Sequence, residues 1–136
     1  MDKEERIIKA AEELISKGNL DSIVTHFSTD YIAYANEKQY RGHDFLRRWS
    51  RQIHSAIGEI AIKKILFLCQ EGDTIAWQRT LTGVHSNELR GIPATGKKIT
   101  WTEMVVSTFN DDKISKEWVV SELAGALLLH QSGAGS

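Results

Sequence analysis

At Gly58 the spacing of apolar residues changes from helical to alternating, and this single switch restricts the chain to few folds. Before it, Ile7, Ile8, Ala11, Leu14 and Ile15 recur at helical spacing until Gly18-Asn19. Leu20, Ile23, Val24 and Phe27 mark a second, short helix, and Tyr31 to Tyr34 a brief strand. After Gly42, the residues Phe45, Leu46, Trp49, Ile53 and Ile57 make one stripe of a third helix. Beyond Gly58 the period is two. It predicts strands over 59–69, 74–85, 98–109 and 113–121, with turns at Glu71-Gly72-Asp73 and Asn110-Asp111-Asp112. Helices followed by long adjacent strands imply an α+β domain with a curved antiparallel sheet, not an alternating α/β one.

No repeat or linker interrupts the 136 residues, so we expect one domain over 1–131 and a disordered tail or cloning remnant over 132–136. Folding at this length buries about two thirds of the unfolded surface, enough for a core without disulfides. The single cysteine, Cys69, reads as a reduced core residue and suits the cytoplasm. No segment approaches the roughly 20 apolar residues of a membrane span, and no signal peptide is expected. A net charge of -1 with scattered basic residues argues against nucleic acid as a partner, and without such a span no membrane partner is expected.

The last hairpin carries the chemistry. Ile99, Trp101, Val105 and Phe109 share a face with Glu103 and Ser107, and Ile114, Trp118 and Val120 share another. Joining the two faces pairs Phe109 with Ile114 and Val105 with Trp118. It sets Glu103 opposite Val120 and Trp101 opposite Glu122. Glu103 and Glu122 then become diagonal neighbours among tryptophan and aliphatic side chains. A carboxylate in such surroundings has a raised pKa and passes protons near neutral pH. A structural reading stands beside this one: Ser121-Glu122 as cap and first-turn acid of a helix over 123–129.

Other motifs exclude chemistry. Gly91 to Lys97 has the spacing of a phosphate-binding loop, but Lys98 replaces the Ser or Thr and a strand follows. The five histidines lack close metal-ligand spacing, so no metal is expected. His54 is either a helix-edge histidine or a pocket residue. The four tryptophans are core or pocket-wall residues whose ring area suits a flat organic ligand. On the opposite strand faces, Thr74, Ala76, Gln78, Thr80, Thr100, Thr102, Met104 and Val106 form a surface suited to a partner.

Arg41-Gly42 opening a helix, Gly72-Asp73 at a turn, Leu81 to His85 ending a strand, Gly91 to Lys97 and Lys113 to Trp118 occur in one order. On these residues, Tyr40 to about Gln131 resembles the SnoaL-like polyketide cyclase family of the nuclear-transport-factor-2-like superfamily. The resemblance implies a cone-shaped, cystatin-like α+β barrel wrapped on N-terminal helices, no cofactor, and a homodimer formed through the outer sheet face. It also implies ring closure of polyketide esters by intramolecular aldol condensation. The family's acid/base aspartate, four residues after the tryptophan, corresponds here to Glu122, and Tyr34 stands where relatives often carry a histidine.

The expected function is therefore cofactor-independent proton transfer, of cyclase, isomerase or lyase type, on a small apolar carbonyl compound. Glu122 would be the general acid/base and Glu103 its modulator, with Tyr34, Trp49, His54, Trp101 and Trp118 lining the pocket. The alternative is a non-catalytic dimeric binding module of the same shape.

Overall fold

The computed structural model describes residues 1–132. Helix α1, Lys3–Ala10, is capped by the Asp2 carboxylate, which accepts from the Glu5 N–H at 2.8 Å. A wider π-type turn, Ala11–Ser16, continues it, and Ile7, Ala10, Ala11, Leu14 and Ile15 are its buried stripe. A 3₁₀ turn (Leu20–Ser22) leads into α2 (Ile23–His26), then β1 (Phe27–Ala35), β2 (Lys38–Arg41) and α3 (Gly42–Ala56). The remainder is β3 (Ile57–Glu71), β4 (Thr74–His85), β5 (Lys98–Asn110), β6 (Lys113–Ser121) and α4 (Leu123–Ser132). The helix-to-strand switch thus lies where the apolar period changes. The first strand is longer than Tyr31 to Tyr34, and β2 gave no signal because four mostly exposed residues carry no alternation. Of the expected tail, Ser132 closes α4, and 133–136 lie outside the described residues.

The six strands form one curved, unclosed sheet in the order β2-β1-β6-β5-β4-β3. Every pairing is antiparallel except β1 with β6, so the expectation of a purely antiparallel sheet needs that correction. The helices fill the concave side: Leu46, Ser50, Ile53 and Ala56 of α3 are buried one or two turns apart, as an amphipathic helix requires. Close approach of β3 and β4 demands Gly83, since a Cβ there would run into the Ile57 side chain and the Gly58 carbonyl. At the helical end, Arg6 donates to His26 Nδ1 at 3.1 Å, and His26 Nε2 lies 3.0 Å from Glu13. Because arginine only donates, Nδ1 accepts and Nε2 carries the hydrogen.

Two irregularities overturn sequence expectations. Between Phe67 and Cys69 the register of β3 shifts, and Cys69 is exposed instead of joining the core. On the last hairpin Phe109 pairs with Ile114, as expected, and Asn110 with Lys113, but Thr108 then pairs with Lys116. Ser115 is the extra residue of a bulge, its hydroxyl donating to the Thr108 carbonyl at 3.0 Å. Every later pairing moves by one. Val105 faces Val119, not Trp118, and Glu103 faces Ser121, not Val120.

A buried two-carboxylate cluster as candidate active site

The bulge decides which side chains of β6 enter the concave side. Glu117 is 7% exposed, whereas Trp118 is 42% and Val120 69% exposed on the convex face. Glu103 does point inward beside Trp101, 6% exposed, with Met104 outward. The second inward carboxylate is therefore Glu117. Glu122 is exposed at the head of α4; its backbone N–H donates to the Thr102 carbonyl at 3.0 Å and its own carbonyl accepts from Ala126.

Arg79 joins the two acids. Strict alternation along β4 turns Ile75, Trp77, Arg79 and Leu81 inward, and Arg79 sits directly across from Glu103. Its Nε and Nη2 lie 2.7 and 2.6 Å from Glu103 Oε1, and its guanidinium lies over the Trp77 ring at 5.3 Å. Glu103 Oε2 accepts from the Ser121 hydroxyl at 2.6 Å and the Trp101 indole at 3.3 Å. Glu117 accepts from the Tyr31 hydroxyl at 2.8 Å and the Ser107 hydroxyl at 2.6 Å. Ser107 in turn accepts from the Trp77 indole at 2.9 Å.

These surroundings push the two carboxyls apart. Burial works to raise both. At Glu103, the Arg79 charge and the bonds from Ser121, Arg79 and Trp101 outweigh burial and leave the pKa below its ordinary value. At Glu117 burial wins over Arg79, Ser107 and Tyr31, helped by repulsion from Glu103, and the pKa is raised. Tyr31 is held well above its ordinary range, first by burial and then by the neighbouring Glu117, so it remains a hydroxyl donor at neutral pH. The result is one carboxyl held as an anion, one whose anion is disfavoured, and one cation.

The expected pocket residues divide. Only Trp101 belongs to this cluster. Tyr34 and Trp118 stack on each other at 4.9 Å and border an open convex-side depression of about 380 Å³, contrary to the inward placement expected of them. The one-residue shift of β6 explains this for Trp118, whereas Tyr34 follows from β1 itself, where the alternate positions Tyr31 and Ala33 are buried. Trp49 packs half-buried against the core from α3. His54 lies against Gly18, whose left-handed backbone (φ +66°) and missing Cβ leave room for the ring. Sequence reasoning missed Arg79, although an arginine between Trp77 and Leu81 on an alternating strand was a readable signal. It missed Glu117 because no periodicity announces a bulge, and Tyr31 because the direction of β1 was unread.

A family model described as SnoaL-like polyketide cyclase matches residues 5–128. The chain belongs to the SnoaL-like polyketide cyclase family. A provisionally assigned polyketide cyclase from Acidithiobacillus ferrooxidans superposes with a TM-score of 0.83 at 17% identity, covering 96% of this chain and 94% of that one. TsrD from Streptomyces laurentii gives 0.78 at 19% identity, with 98% of each chain covered. AclR from Streptomyces galilaeus, provisionally assigned as a hydroxylase, gives 0.74 at 22% identity over 96% of this chain and 98% of that one. At such identities these likenesses establish the shared fold, and the fold carries more than one reaction. No curated protein matches the chain in sequence. Among the described residues no group of three His, Cys, Asp or Glu is placed to hold a metal, and no helix is long and apolar enough to cross a membrane.

Proposed function

We propose that this SnoaL-like protein catalyses proton transfer on a small apolar carbonyl compound, with Glu117 as the general acid/base. The observation that carries the reading is the contrast between the partners of two buried carboxyls: Glu103 pairs with the Arg79 guanidinium, whereas Glu117 accepts from the hydroxyls of Tyr31 and Ser107. A carboxylate with a raised pKa is the stronger base and, once protonated, a usable acid near neutrality. Glu117 would take a proton from the carbon next to the carbonyl. The C–H electron pair becomes the carbon–carbon double bond of the enolate, the carbonyl π pair moves to oxygen, and Tyr31 and Arg79 stabilise that oxyanion. In a cyclase, the enolate carbon attacks a second carbonyl of the same molecule, and Glu117 returns its proton to the new alkoxide. In an isomerase, the proton returns to a different carbon. Glu103 keeps Arg79 oriented, and Trp77 and Trp101 provide the apolar wall.

The proton step is testable without the natural substrate. The parent should exchange the α-hydrogens of aryl ketones or lactones for solvent deuterium, followed by proton NMR, and Glu117→Gln should slow this about a hundredfold or more. Equal exchange by parent and variant would end the reading. The second reading, a binding module without chemistry, is favoured by the cluster's internal hydrogen bonding, which leaves both carboxylates satisfied without a ligand.

We also propose a homodimer through the convex face, where Met104, Trp118 and Val120 are exposed together on adjacent strands. Sedimentation equilibrium at tens of micromolar should give twice the chain mass; a monomer there would refute it.

A further inference from the structure

The acid cluster is closed: Tyr31, Arg79, Glu103, Ser107 and Glu117 are all 7% exposed or less. A substrate reaches Glu117 only if something moves, and the residue best placed to control that movement is Ser121. It is the last residue of β6 and is itself exposed. Its hydroxyl donates to Glu103 Oε2 at 2.6 Å and also accepts from the Leu123 N–H, the first residue of α4, at 3.2 Å. One side chain therefore holds both the carboxylate that orients Arg79 and the start of a helix.

That helix depends on its docking. It packs chiefly on β5 through the buried Leu123 and Leu127. Gly125 interrupts its first turns. Ten residues with an internal glycine do not hold a helix in water on their own, so α4 persists only while docked.

We propose that Ser121 is a positioning residue that couples the orientation of Glu103 to the docking of α4. When α4 unravels from β5 the Ser121–Glu103 bond is lost with it, and the Trp101–Glu103 side of the cluster opens to a small apolar carbonyl compound. Redocking restores the bond and shuts out water. The identity of the entering compound rests on the acid/base reading above; the coupling does not.

Hydrogen exchange by NMR on the full chain tests the coupling directly. The Trp101 indole N–H should exchange at the rate of the 123–129 amides, and faster than the amides of the β4–β5 ladder. Ser121→Ala should accelerate both about fivefold, the usual scale for one lost hydrogen bond. Ser121→Thr, which keeps the hydroxyl, should restore the parent rates. Gly125→Ala should slow both about threefold, because a Cβ at this position meets nothing within 4 Å and alanine favours the helix. If Ser121→Ala accelerates the α4 amides but leaves the indole unchanged, Ser121 only supports the start of α4 and the coupling is refuted. An indole that exchanges as slowly as the β4–β5 ladder refutes it as well. Coupled exchange in a protein without deuterium-exchange activity would overturn the acid/base reading alone. Uncoupled exchange in an active one would overturn the coupling alone.

Discussion

The Glu103 end and the Glu117 end of the cluster have the same burial and the same residue type on adjacent strands, yet their pKa values are shifted in opposite directions. Glu103 meets a guanidinium head-on and receives two further donors. Glu117 receives two neutral hydroxyls and feels the charge of Arg79 without bonding to it. Burial alone therefore does not set the charge state of a carboxyl; the partner does. An acid that is fully paired is held in place, and its neighbour, satisfied by hydroxyls only, is left able to exchange a proton.

Removing Arg79 should erase the difference and have the largest effect. Arg79→Met leaves Glu103 buried without its counter-ion, and we expect a stability loss of about 3–5 kcal/mol in urea melts at neutral pH. A loss below about 1 kcal/mol would mean that the ion pair does not set the charge state of Glu103.

Glu117→Gln sharpens the comparison through pH. A raised folded pKa means that Glu117 contributes stability below its unfolded pKa, and that this is lost as pH rises through the folded value. Glu103, with its lowered pKa, contributes above its unfolded pKa and loses that contribution as pH falls through the folded one. Relative to Glu117→Gln, the parent should therefore become progressively less stable between pH 5 and pH 8. Paired thermal melts at those two pH values check this, and parallel curves would contradict it.

The smallest effect is expected outside the cluster. Glu122→Gln alters an exposed side chain at the head of α4, so stability should change by no more than about 0.5 kcal/mol. Deuterium exchange by this variant should match the parent. A hundredfold loss would instead assign the proton transfer to Glu122, the position that matches the family's aspartate.

Much of the architecture was legible in the residues. The shift from helical to alternating apolar spacing at Gly58 placed α1, α3 and the four long strands, because burying one face imposes a period on any regular element. The inward direction of Glu103 followed from its alternation with Trp101 and Val105 on β5. The inward direction of Arg79 was available on the same ground. The tertiary structure alone decided the partner of Glu103. One extra residue, Ser115, is invisible to periodicity, yet it inverts the remainder of β6, turning Glu117 in and Trp118 out. A period of two has no tolerance for an insertion. Local pattern therefore determined which elements form and which residues alternate, while the backbone pairing between strands decided which carboxylate met the arginine and which was left to the hydroxyls of Tyr31 and Ser107.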